Sequence, residues 1–197
     1  MNTTALPTKR MNVPEFLVWA QAQPEGRNYE LVDGDVIAMA PERVLHNLAK
    51  LAVARALQDS VRAAKLPCTV FTDGVTVKIN EHTAREPDAC VQCGVEAELD
   101  SLLIDAPLIV VEVASPTSER DDTGAKLVDY FSAPSIQHYL IVFPQRRVIV
   151  HYQRGERGKI DAGIARDGEI VLSPPGITVP VAALLGPSSA AGSEAGR

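Results

Sequence analysis

The chain has 197 residues, 46% hydrophobic and 22% charged, an ordinary globular balance at a length that fits one domain with a real core. Its net charge of −6 argues against a large basic nucleic-acid face, although a local basic patch or a bound cation would escape that count. Three cysteines, Cys68, Cys90 and Cys93, argue against a disulfide framework. With no apolar segment after Met1 and no run of about 18 apolar residues, a cytoplasmic protein without a membrane partner is expected.

Residues 1–11 read as a disordered lead-in. Asn12 can cap a first helix that carries Pro14 in its opening turn, where its missing N–H costs nothing. Pro24 and Gly26 end that helix. Tyr29–Val32 and Asp35–Met39 form a predicted hairpin about Asp33-Gly34. Glu42–Lys65 reads as a long helix closed by Pro67. Short strands are expected at Cys68–Thr72 and Val75–Ile79, around Asp73-Gly74, and again at Asp88–Gln92. Leu108–Ala114 is a near-continuous apolar run, the mark of a strand buried on both faces. Ser115-Pro116-Thr117 breaks it. A second core helix is expected over Asp121–Phe131, then strands at Ile136–Val142 and Val148–Tyr152. A last hairpin is expected over 159–172 around Asp167-Gly168. Val179–Leu185 reads as a docking apolar segment, and residues 186–197 as a disordered tail. The sum is an α+β (mixed α/β) domain over 12–185, a central sheet flanked by helices.

Glu112 stands out because Leu108, Ile109, Val110, Val111, Val113 and Ala114 surround it. A carboxylate within such a run costs several kcal/mol, roughly, unless it is paired, protonated or metal-bound. Otherwise it must sit at the strand's exposed end. Asp88 follows Pro87 and opens a short strand; if that strand neighbours the apolar one, two carboxylates meet at one edge. Two carboxylates and a main-chain carbonyl suit a hard divalent cation such as Mg²⁺. Asp88 also fits a plain strand-start residue. Lys126, on the following helix, is either a solvated lysine or a cation returning toward the carboxylates.

The runs Glu30-Leu31-Val32-Asp33-Gly34-Asp35, Pro87-Asp88, Val111-Glu112-Val113-Ala114-Ser115-Pro116-Thr117-Ser118 and Asp121…Lys126-Leu127…Tyr130 resemble the Uma2 family. This is a bacterial group of restriction-endonuclease-like proteins within the PD-(D/E)xK nuclease superfamily. The order also matches through Tyr139–Val142 and Arg147–Tyr152, over roughly residues 12–185. The resemblance implies a restriction-endonuclease-like fold with N-terminal and C-terminal hairpins. It implies Asp88, Glu112 and the Val113 carbonyl as metal ligands for Mg²⁺, with Mn²⁺ as a substitute. Ala114 stands where the superfamily places its lysine, and Lys126 matches the family's alternative position. Glu30 matches a further acidic position of the site, and His46 a histidine that could line the cleft. The implied activity is endonucleolytic hydrolysis of nucleic acid, DNA foremost, with a homodimer as an analogy. The competing expectation is a silent nuclease-fold module that binds nucleic acid or a protein.

Other patterns are weaker. Cys90-Val91-Gln92-Cys93 has zinc-like spacing but no second pair, so one buried and one peripheral thiol are expected. Arg43, Lys50, Arg55, Arg62 and Lys65 share a helical arc of roughly 140° with Leu48 and Leu51. This arc reads as a solvated face, or as a phosphate-tracking one. Phosphate-binding glycine loops and a nucleophile elbow are absent.

Overall fold

The structure, a computed structural model, describes residues 6–24, 26–115 and 124–186. Its centre is a six-stranded mixed sheet in the order β11-β10-β9-β8-β6-β3. These strands are β3 (Cys68–Thr72), β6 (Ala89–Cys93), β8 (Pro107–Val113), β9 (His138–Phe143), β10 (Val148–Arg154) and β11 (Ile160–Ala165). The apolar run forms β8 as expected, in the interior of the sheet. It pairs antiparallel with β6 and parallel with β9.

Strand alternation sends the core to both faces of this sheet. On one face Val111, Val113, Leu140 and Val142 pack against Val53, Leu57 and Val61 of α2 (Val44–Ala64). On the other, Val110, Cys90, Tyr139 and Ile141 pack against Tyr130 and Phe131 of α3 (Ala125–Ser132). Each fully buried aliphatic side chain contributes about 1.5–3 kcal/mol. The helix α2 starts without a side-chain cap and ends on Lys65 in the left-handed region, at φ 53°. Leu66-Pro67 then forbids its continuation.

A second, five-stranded sheet has the order β2-β1-β5-β4-β7. It contains the expected hairpin of β1 (Tyr29–Val32) and β2 (Asp35–Ala38). Beyond β1 come β5 (Ala84–Arg85), β4 (Thr76–Lys78) and β7 (Leu103–Ile104). The first helix, α1 (Val13–Gln21), begins at Asn12 with a complete capping box. Its Val13 and Phe16 bury against Tyr29, Leu31 and Val36.

Both expected strands around Asp73-Gly74 form, β3 in the six-stranded sheet and β4 in the five-stranded one. Three expectations need correction. Residues 159–172 do not form a hairpin. Instead β11 extends the central sheet, while β12 (Glu169–Leu172) pairs with β13 (Ile177–Pro180). That later hairpin leads into α4 (Val181–Leu185), and its Leu172, Val179 and Leu184 join the core beneath α2. Cys93 is no free thiol: strand pairing sets it opposite Cys68, and the two form a disulfide, leaving Cys90 as the buried thiol. Lys50, read as part of a solvated or phosphate-tracking face, is 6% exposed. The start of the predicted second core helix, residues 121–123, and the tail over 187–197 lie outside the described residues.

Candidate functional site

The site residues gather where β6 and β8 meet. In register Ala89 faces Val111; one step further sets Asp88, just before β6, opposite Glu112. Both side chains are buried, at 5% and 4% exposure. Different layers of the fold hold them.

Glu112 turns toward α3. Its Oε1 accepts from Lys126 Nζ at 2.9 Å and from the Tyr130 hydroxyl at 2.6 Å. Lys126 and Tyr130 are four residues apart on α3, so one helical face brings both to the carboxylate. Burial and the Glu112 charge push the Tyr130 hydroxyl well above its ordinary pKa. Lys126 also lies 3.2 Å from Glu30 Oε1. Glu30 in turn accepts from Arg85 Nη1 at 2.9 Å and from the Glu86 N–H at 3.1 Å. Arg85, 2% exposed, bridges on to Asp129 of α3. This is a chain of alternating charge running from part-exposed Asp129 to buried Glu112.

Asp88 turns toward α2. Its Oδ2 accepts from the Val113 N–H at 2.6 Å, and its carboxylate lies 3.4 Å from both His46 Nε2 and Lys50 Nζ. Burial alone would raise the Asp88 pKa, but His46, the Val113 N–H and Lys50 outweigh it and hold the carboxyl below its ordinary value. Burial alone would lower His46; the hydrogen bond and charge of Asp88 win, and its pKa is raised. Lys50 also meets Glu42 at 2.5 Å and Asp73 at 2.6 Å. Those two carboxylates more than offset the desolvation of its ammonium and raise its pKa. Glu86, buried beside Asp73 and Glu30, is pushed up to about 7, mainly by burial, although the Gly74 N–H opposes the shift.

All the sequence-predicted residues therefore reach one end of the β6–β8 pair. Glu30, Glu112 and Lys126 converge directly; His46 converges on Asp88 rather than on Glu112. Val113 contributes its N–H to Asp88. A further register step sets Pro87 opposite Val113. Pro87 has no N–H, so it cannot return a ladder bond to the Val113 carbonyl.

Two donor sets could hold a cation. One comprises the Asp88 and Glu112 carboxylates with the Val113 carbonyl, all oxygen, as a hard divalent ion prefers. The other comprises Glu42, His46 and Asp88, whose ligand atoms lie within 4.8 Å of one another. The second set mixes imidazole with carboxylate, which suits a transition metal better than Mg²⁺.

Sequence reasoning missed Arg85, Glu86, Asp129 and Asp73, and gave Lys50 no role in the site. For Lys50 a signal existed: Val53, Leu57 and Val61 follow it at i+3, i+7 and i+11 on what becomes the core face. Arg85 sits in a two-residue strand that carries no pattern.

The family model described as "Putative restriction endonuclease", Uma2, matches residues 13–182. An uncharacterised protein of Synechocystis sp. (strain ATCC 27184 / PCC 6803 / Kazusa) is 25% identical over 158 residues, covering 80% of this chain and 81% of that protein. The crystal structure of "a putative nuclease belonging to DUF820" from Anabaena variabilis ATCC 29413 matches with a TM-score of 0.69 at 14% identity. It covers 89% of this chain and 97% of that one, a likeness of fold. Matched over most of its length, the chain belongs to the Uma2 family.

Proposed function

We propose that the protein is a Mg²⁺-dependent endonuclease that hydrolyses nucleic-acid phosphodiester bonds, DNA foremost, with Mn²⁺ able to replace Mg²⁺. The observation that carries this reading is the pair of buried carboxylates, Asp88 and Glu112, on facing positions of adjacent strands, with the Lys126 ammonium 2.9 Å from Glu112. The donor chemistry fits the ion: Glu112 precedes Val113 in β8, Asp88 accepts from the Val113 N–H, and Pro87 leaves the Val113 carbonyl without a ladder partner on that side. Asp88, Glu112 and the Val113 carbonyl would hold the ion, which supplies Lewis-acid polarisation of a phosphoryl oxygen when bound.

The chain's own residues do the rest. Lys126 orients Glu112 and presents positive charge where a phosphate gains negative charge. Tyr130 fixes the Glu112 carboxylate from the opposite end of the same helical face. Glu30, gripped by Arg85, sets the position of Lys126. The Val113 N–H, His46 and Lys50 keep Asp88 ionised. In this reading the protein works in the cytoplasm, without a membrane partner, and the homodimer remains an analogy with the superfamily.

One observation favours the competing reading of a silent binding module. Lys126 already pairs with Glu112, and Lys50 already lies beside Asp88, so each buried carboxylate has a cationic partner without an ion. Plasmid nicking tests the choice, comparing wild type with the near-isosteric Glu112→Gln in Mg²⁺ and in chelator. The proposal expects nicking by wild type in Mg²⁺ only. Cleavage that ignores the chelator or the substitution contradicts it. Absence of Mg²⁺ and Mn²⁺ binding by calorimetry would favour the silent module.

A further inference from the structure

A cavity of about 720 Å³ opens beside the site, within the range of roughly 300–1,000 Å³ usual for small-ligand pockets. Met39 and Pro41 give it an apolar lining, exposed Arg27 stands at its rim, and Glu42 and Asp73 form its polar wall. That wall is shared with the site. Glu42 Oε1 and Asp73 Oδ2 hold Lys50, whose ammonium lies 3.4 Å from Asp88. The cavity thus touches the Lys50–Asp88 cluster.

Glu42 and Asp73 are each about one-third exposed, at 31% and 38%. Each commits one oxygen to Lys50, and no described residue donates to the other oxygen. Two acceptors set against an apolar surface select a flat ligand that carries N–H donors on its edge. Carboxylates accept from the exocyclic amino group of cytosine in this manner, and Met offers a soft, polarizable surface to a ring face. The acidic wall repels phosphate, so the polyanionic backbone belongs at the rim, near Arg27, and only an uncharged base belongs inside. A base can enter a pocket only when it is unstacked and unpaired.

We propose that this cavity is a subsite for one unpaired, amino-bearing nucleobase next to the scissile phosphate, which makes single-stranded or locally opened nucleic acid the substrate class. The inference rests on the nuclease reading above. It predicts that the protein binds oligodeoxycytidylate more tightly than oligothymidylate, and either single strand more tightly than the blunt duplex. A hydrogen bond from the amino group to a carboxylate, which thymine cannot make, sets a preference of about tenfold as the expected size.

Fluorescence anisotropy with labelled oligonucleotides tests it, using the wild-type chain with Ca²⁺ in place of Mg²⁺ to hold off cleavage. Ala40→Trp, which places a large ring at the cavity wall, is expected to abolish the cytosine preference while keeping the wild-type circular dichroism spectrum. Free deoxycytidine is expected to compete better than thymidine, an arm that depends on no substitution. Equal affinity for the two single strands overturns the inference, as does a preference that survives in folded Ala40→Trp, or equal competition by the two nucleosides. If wild type nicks plasmid yet shows no base preference, only this inference fails. If wild type neither cleaves nor binds nucleic acid, the nuclease reading fails and this inference with it.

Discussion

Two lysines meet the site's carboxylates from opposite faces of one sheet, and their surroundings differ. Around Lys126 everything is sealed: Lys126, Glu30 and Glu112 side chains are 7%, 6% and 5% exposed. Around Lys50 the ammonium is buried at 6%, but Glu42 and Asp73 remain open to the cavity. In the Lys126 cluster the charges must largely balance one another, since water replaces a lost partner poorly at such low exposure. In the open cluster, water or a ligand can take a partner's place. The same residue types thus build a rigid support on one side and an adaptable wall on the other.

The largest expected effect follows from breaking the sealed side. Lys126→Met leaves Glu30 and Glu112 buried without that ammonium and should cost about 3–5 kcal/mol of stability in urea unfolding. Lys50→Met should cost less, about 1–2 kcal/mol, because Glu42 and Asp73 can rehydrate and buried Asp88 keeps His46 and the Val113 N–H. Equal losses would break the distinction between the clusters. Tyr130→Phe sharpens it further: removing a buried donor to a charged acceptor should cost about 1.5–3 kcal/mol, whereas a similar change at an open position would be nearly silent.

The smallest expected effect is in pH. His46, in the open cluster, has a raised pKa in the fold, so its stabilisation is complete below the unfolded value of about 6.5 and is lost as pH rises through the folded value. His151 has the opposite sign. Burial, helped by neighbouring His138, holds it down to about 4. The unfolded chain therefore takes up the proton first, and stability falls as pH drops from about 6.5 toward 4. Urea midpoints of wild type, His46→Gln and His151→Gln, taken from about pH 4 up through the folded His46 value, should show the slope above about 6.5 vanish in His46→Gln and the acid-side slope shrink in His151→Gln, where His138 keeps a share. A slope at alkaline pH that persists in His46→Gln would assign it to another group.

How much of this was legible in the sequence depended on how local the signal was. Glu112 was legible because a charge interrupts an apolar strand. The α1 start was legible because Asn12 and Pro14 mark it two residues apart; the Glu15 half of its capping box was not read. Lys126 was legible only by family likeness, since one lysine on a helix carries no direction. The partners of Asp88 depended on which face of α2 meets the sheet, and the mixture of Lys50 with Leu48 and Leu51 obscured that face. Leu48 and Leu51 turn out exposed, at 43% and 46%. Arg85 and the β12–β13 hairpin depend on long-range pairing, which turn residues such as Asp167-Gly168 cannot specify: a turn says that the chain reverses, not which strand it joins. The Cys68–Cys93 disulfide was hidden for the same reason.

Asp88, Glu112 and the Val113 carbonyl are proposed to hold one divalent ion together. Anomalous scattering from a crystal of the wild-type chain soaked in Mn²⁺ should show a peak within ligand distance, about 2.0–2.3 Å, of all three oxygens. No bound manganese, or a peak confined to Glu42, His46 and Asp88, would contradict it.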